Sequence, residues 1–261
     1  NSYLLALLAN ISFALGTMFF THYARKISSL WVNTFKALVA AICFGIVVLA
    51  TTGFHDISGI TFLLFFISGF IAFGLGAVFL LNAFSVLGPG RTMVIFGFHP
   101  MVVGIFSYFL FDQVLDVDKF YAITFFVMCL FIFSYETFKE KGHWEVRGLL
   151  FALLGMGLDA IGVIITRYAF DMNKVITVFE GNLYRCIGAL VAYMVLSKKY
   201  KFEFRANFKK LKFHSRLYIF LGAFLGTFLS LAFYLEAIKS AHLASVSAIS
   251  ITGVLFSSLF E

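Results

Sequence analysis

"VNTFKALVAA", residues 32–41, opens an apolar stretch long enough to cross a membrane, yet it carries a lysine. Far along the chain "GNLYRCIGAL", residues 181–190, repeats the arrangement. Asn33, Phe35 and Lys36 correspond to Asn182, Tyr184 and Arg185, 149 positions later. A cation inside an apolar segment is costly, so it needs a partner or a task unless it can snorkel to the interface. Lys36 and Arg185 both lie within about two turns of a segment start, so snorkelling and an interior role both stand. The recurrence itself points to an internal duplication.

Composition places that duplication in lipid. The chain is 61% hydrophobic and 13% charged, with a mean hydropathy of +0.97. A water-soluble domain cannot hide that much apolar surface. Nine segments have the ~20 mostly apolar residues that a spanning helix needs. They lie near 3–22, 31–51, 60–86, 92–111, 118–137, 147–170, 175–197, 216–238 and 243–261. The alternation of a membrane barrel strand is absent, so the expected fold is all-α. Eight of the 20 Lys and Arg fall between Lys198 and Arg216. Such a run between membrane helices reads as a loop facing anionic lipid rather than a nucleic-acid surface. Loops after the odd-numbered segments hold 14 cations and the opposite loops four, which puts the first set in the cytoplasm. Cys43, Cys129 and Cys186 all sit in apolar segments and show neither disulfide nor zinc spacing.

The duplication extends beyond the opening motif. "ALLANISFALG" from Ala6 aligns with "ALLGMGLDAIG" from Ala152, pairing Gly16 with Gly162. "FLLNAFSV" aligns with "FYLEAIKS", pairing Asn82 with Glu236 and Ala83 with Ala237. Each unit would hold five helices, the second lacking its fifth in this sequence. An odd count makes the two copies enter the membrane in opposite directions, as in many transporters.

A small-residue first segment, a cation early in the second, and two long junctions carry a family resemblance. The junctions are "NAFSVLGPGRTMVIFGFHPMVVGIFSYFLFDQ" and "EAIKSAHLASVSAISITGVLFSSLFE". Together they resemble the drug/metabolite transporter superfamily, specifically the ten-helix EamA type. Pro100 sits where that family often has a proline, and Asp112 where it often closes the fourth helix with a glutamate. The second copy departs from the pattern with Gly253-Val254 in place of proline and with Glu261 about a turn early. The resemblance implies an inverted repeat of two five-helix units, 1–138 and 146–261, with a tenth helix to follow. It also implies a central cavity lined mainly by helices one, three, four, six, eight and nine.

The intramembrane polar residues are the site candidates, each with a structural alternative. Asp159 lies mid-segment, too short to snorkel, so it is a salt-bridge or proton-carrying carboxylate. His99, beside Pro100, titrates, binds substrate or donates to a carbonyl the proline frees. Asn10 reads more as a packing hydrogen bond than a ligand contact. Ser247, Ser250, Ser257 and Glu261 share one helix face, either a small-residue seam or a cavity wall. Glu180 is an ion-pair candidate for Arg185, although a spacing of five suits a partner on another helix equally well. Asn82 and Glu236 read as interfacial, and Gly222, Gly226 and Ser230 as a close-packing series. "GLGA" at 74–77 reads as plain glycine in a membrane helix. No nucleotide-binding, zinc-protease or nucleophile-elbow motif is present, so an intramembrane enzyme is disfavoured.

The expectation is a cell-membrane transporter of a small polar or amphipathic metabolite, working by alternating access, with proton coupling or exchange both open. Its substrate-binding candidates are Asn10, Lys36, His99, Asp159, Arg185, Ser250 and Glu261. A flippase for lipids or lipid-linked substrates is the alternative. The expected partners are the solute and the bilayer, without nucleic acid, and a homodimer is compatible with the sequence. No cofactor is expected.

Overall fold

The computed structural model describes residues 2–111, 121, 125, 128, 132, 145–198, 203–240, 246, 249 and 252. The described residues are helical and contain no strand. The chain is an all-α integral membrane protein. The helices are α1 (Ser2–Lys26), α2 (Ser29–Ala50), α3 (Gly59–Leu87), α4 (Pro89–Phe96), α5 (His99–Phe111), α6 (Val146–Met172), α7 (Val178–Ser197), α8 (Phe204–Lys210) and α9 (Phe213–Lys239). Five of them, α1, α2, α3, α6 and α9, are long and apolar enough to cross a bilayer. Helix α7 is of spanning length, but its inward-facing Glu180, Asn182 and Arg185 dilute its apolar character. Outward positions such as Ile42, Ile46, Leu49, Ile60 and Met194 are exposed apolar side chains, suited to acyl chains.

Local chemistry sets the ends of these helices. The Ser28 hydroxyl accepts from Trp31 N at the start of α2, and Ser58 does the same for Thr61 N at the start of α3. A reciprocal Thr177–Glu180 capping box opens α7. Gly88, at φ +91°, makes the left-handed turn out of α3, and Pro89 then starts α4. The fourth apolar segment is therefore two helices, broken at Gly97 and Phe98 ahead of His99-Pro100. The basic loop after α7 also holds an unforeseen helix, α8. Phe204 of α8 stacks on Trp31, and Phe208 on Phe35.

The packing is reciprocal. Helix α1 lies against α9, and a Cβ on Gly16 would fall 2.5 Å from Gly226 Cα. Helix α6 lies against α3, and a Cβ on Gly162 would fall 2.4 Å from Ala72 Cβ. Helices α2 and α7 pack on each other, and each touches the other half's long helix. Both long helices are wound as π-helix in their middles, over Gly69–Gly76 in α3 and Phe224–Leu229 in α9. An aromatic cluster including Phe20, Trp31, Phe35 and Phe84 fills the bundle toward the long loop. Clusters around Val163 and around Phe65 and Phe170 fill the other end.

Candidate functional site

Between those clusters lies a cavity of about 160 Å³, room for on the order of ten waters. Its walls come from the middles of α1, α2, α3, α6, α7 and α9, with Met93 and Phe96 of α4 and His99 of α5. Five of the seven residues singled out in the sequence line it: Asn10, Lys36, His99, Asp159 and Arg185. Ser250, Glu261, Asp112 and Cys129 lie outside the described residues, as do Ser247 and Ser257. Helices α2 and α7 line the cavity as well, which extends the expected set of walls.

The two motifs of the opening stretch resolve into one device used twice. An Asn and a cation three residues apart share a helix face. Asn33 Nδ2 donates to Ala77 O (2.9 Å), and Asn182 Nδ2 donates to Leu231 O (3.1 Å). Those two carbonyls are equivalent under the register that pairs Asn82 with Glu236. Each lies at the exit of a π-wound stretch, where the normal helical hydrogen-bond ladder is displaced. Both Asn side chains are fully buried, and each Oδ1 has no hydrogen-bond partner. Lys36 and Arg185 then enter the cavity, 9% and 1% exposed, so neither snorkels to the interface.

The long helices present matched faces. Positions 72, 73, 76, 77 and 80 of α3 line the cavity, and so do their equivalents 226, 227, 230, 231 and 234 of α9. The pairs differ in chemistry: Phe73 faces Thr227 across the register, Gly76 Ser230, and Leu80 Tyr234. On the first helices Phe13 corresponds to Asp159, so the carboxylate has an aromatic counterpart. The resemblance led to these two helices being expected as walls, but the sequence reading assigned none of these α3 and α9 residues to the cavity. The available signal was the small-residue run "GFIAFGLGA" at 69–77, which supplies the π-wound cavity wall rather than plain membrane glycine.

Arg185 Nε donates to Ser68 Oγ (3.1 Å), and the Ser68 hydroxyl donates to Gly162 O (2.9 Å). The guanidinium carbon sits 4.1 Å from the Phe73 ring centroid, and Nη1 has no hydrogen-bond partner. Lys36 Nζ stands 5.0 Å from the Phe20 ring centroid. His99 Nε2 is 3.2 Å from Asp159 Oδ2 but is out of line for a hydrogen bond. His99 is 4% exposed, whereas the Asp159 side chain, at 31%, opens onto the cavity. Asn10 makes the packing hydrogen bond expected of it, Nδ2 donating to Ile249 O (3.1 Å), and it also borders the cavity.

One reading of a polar residue is corrected. Glu180 does not pair with Arg185. It accepts from His55 N (2.7 Å), lies 2.7 Å from His55 Nδ1, and closes the cap with Thr177. Its position three residues after Thr177 points it back at the helix start. Asn82 Oδ1 accepts from Ser29 Oγ (2.6 Å), tying the end of α3 to the start of α2. Cys186 is a free thiol packed with Ala40 and Phe44, as the sequence suggested, and it also borders the cavity.

No curated protein is significantly similar to the chain. A family model does match it, that of the EamA-like transporter family, over residues 1–135.

Proposed function

The chain belongs to the EamA-like transporter family, part of the drug/metabolite transporter superfamily, and from that premise we propose that it moves a small polar or amphipathic metabolite by alternating access. The site is the central cavity, and Asn10, Lys36, His99, Asp159 and Arg185 contact the solute. One observation carries the reading: five polar side chains from five separate helices converge on one mid-bundle hollow in an otherwise apolar protein. Groups that are expensive to hold in lipid gather where they face a shared space, as a solute pathway requires.

The units 1–138 and 146–261 form an inverted repeat, with the cavity on the pseudo-axis between them. Support comes from the reciprocal Gly16–Gly226 and Gly162–Ala72 contacts, the twin π-wound stretches and the twin Asn-to-carbonyl bonds. Rocking one unit against the other exposes the hollow to each side in turn. The protein sits in the cell membrane with its basic loops in the cytoplasm. Asp159, next to His99, supplies a group able to take a proton with the solute.

Purified protein in liposomes, challenged with labelled metabolites, amino acids, amines and nucleotide sugars, tests the reading. Uptake of at least one class above protein-free vesicles is expected. A blank panel would count against transport.

A further inference from the structure

Among the described residues, the cavity lining carries more positive than negative charge, and its two cations share one carboxylate and make few hydrogen bonds. With His99 counted neutral, the described lining residues carry two cations, Lys36 and Arg185, and one carboxylate, Asp159. The near-complete burial of both cations is tolerable in a low-dielectric site only when something answers their charge. Among the described residues, the guanidinium of Arg185 has one hydrogen bond, from Nε to Ser68. Lys36 Nζ has none; it stands over the Phe20 ring, with Asp159 on the same cavity as its charged neighbour.

The geometry around Arg185 is selective. Phe73 covers one face of the guanidinium plane, which leaves the in-plane N–H groups to act. A planar fork with an unused Nη1 fits the two oxygens of a carboxylate or phosphate better than a single acceptor. The remaining wall is largely apolar, with Phe13, Leu80, Phe96 and Tyr234 among its residues. That wall suits a hydrocarbon or aromatic body.

We propose that the cavity takes a small organic oxyanion with an apolar body, its charged head forked by Arg185 and neutralised by Lys36. This assignment rests on the cavity being the substrate site. Among the described lining residues the excess of one positive charge matches a head of about one negative charge. Asp159 faces the same space and disfavours more highly charged anions. The mismatch between Phe13 and Asp159 gives the hollow one apolar and one acidic flank, so the ligand binds in a defined orientation.

Four probes with one aromatic body separate the options: phenylacetate, phenyl phosphate, phenethylamine and phenylalanine. Binding is read as the shift in melting temperature of detergent-purified protein, and uptake is read separately in liposomes. Phenylacetate should raise the melting temperature, and by more than phenyl phosphate, whose head carries close to two negative charges at neutral pH. Lys36→Met removes the charge without breaking a hydrogen bond to the described residues, and it should weaken that binding roughly 10- to 100-fold. Arg185→Lys keeps the charge but loses the fork, and it should weaken the same ligands. Stabilisation by the amine or the amino acid with no oxyanion effect would overturn the proposal. So would absence of any oxyanion shift, or an oxyanion shift that survives both substitutions. Oxyanion binding without uptake would instead sink the transport reading and leave this one standing. Uptake of the amine alone would do the reverse.

Discussion

At the scale of single residues, the repeated Asn–cation pair explains why the chain tolerates polarity inside lipid. Asn33 and Asn182 each serve a carbonyl at the end of a π-wound stretch, so each hydrogen bond joins two helices. Inter-helix hydrogen bonds in membranes contribute about 0.6–1.7 kcal/mol. Asn33→Ala and Asn182→Ala should each lower stability by roughly 1 kcal/mol. The sites share no partner, so the double variant should show the sum in thermal unfolding. Asp159 has a different duty. It opens onto the cavity with His99 Nε2 3.2 Å away, and no helix end is near enough to release it to water. Asp159→Asn is expected to abolish pH-gradient-dependent uptake while solute binding in detergent persists. Equal loss of binding and uptake would give Asp159 a purely ligating role.

Helices are where glycine decides. At the start of the π-wound stretch, a Cβ on Gly69 would lie 1.9 Å from Arg185 O and 2.4 Å from Arg185 Cα. A Cβ on Gly188 would likewise lie 2.1 Å from Phe66 O. The α3 and α7 backbones therefore meet directly, and that contact is what sets Arg185 at the cavity wall. Gly69→Ala must force the two helices apart and should cost more than about 3 kcal/mol, the upper end for overpacking. Gly157→Ala is the matched control, since nothing lies within 4 Å of its Cβ position. Size-exclusion profiles in detergent should stay monodisperse for Gly157→Ala and collapse for Gly69→Ala. This is also the scale at which the sequence stops being readable. Helix positions followed from length and hydropathy, and the small-residue series at Gly222, Gly226 and Ser230 correctly pointed to close packing. The π-winding did not follow. It depends on which backbone approaches the glycines, a tertiary fact that a glycine-rich apolar run shares with any membrane helix. The break at Gly97 and the helix α8 were missed for related reasons. Short elements held by tertiary aromatic contacts, such as Phe204 on Trp31, leave little periodicity to detect.

For the whole molecule, the lesson concerns which polar residues a sequence can assign to a site. Lys36, His99, Asp159 and Arg185 were recognisable because charge or imidazole deep in an apolar segment is anomalous on its face. Their convergence was suggested only by the repeat, which brings equivalent positions to one axis. Gly76 was read as a plain membrane glycine and Ser230 as a packing residue, and Thr227 and Tyr234 escaped notice, because small or hydroxyl-bearing residues are ordinary in membrane helices. Glu180 misled for the opposite reason: as an acid beside a buried arginine it invited pairing, while its position three residues after Thr177 made it a cap.

The central claim is that the hollow between the two halves is a water-filled path reached from each side of the membrane. Thr227 tests it directly, because it lines the cavity, is buried, and has no hydrogen-bond partner on Oγ1. Thr227→Cys, in a chain whose Cys43, Cys129 and Cys186 are replaced, should react with a membrane-impermeant thiol reagent. Reaction is expected from either face in oriented vesicles, and a bound solute should slow it from both. Reaction from neither face, or only with a lipid-soluble reagent, would contradict the claim.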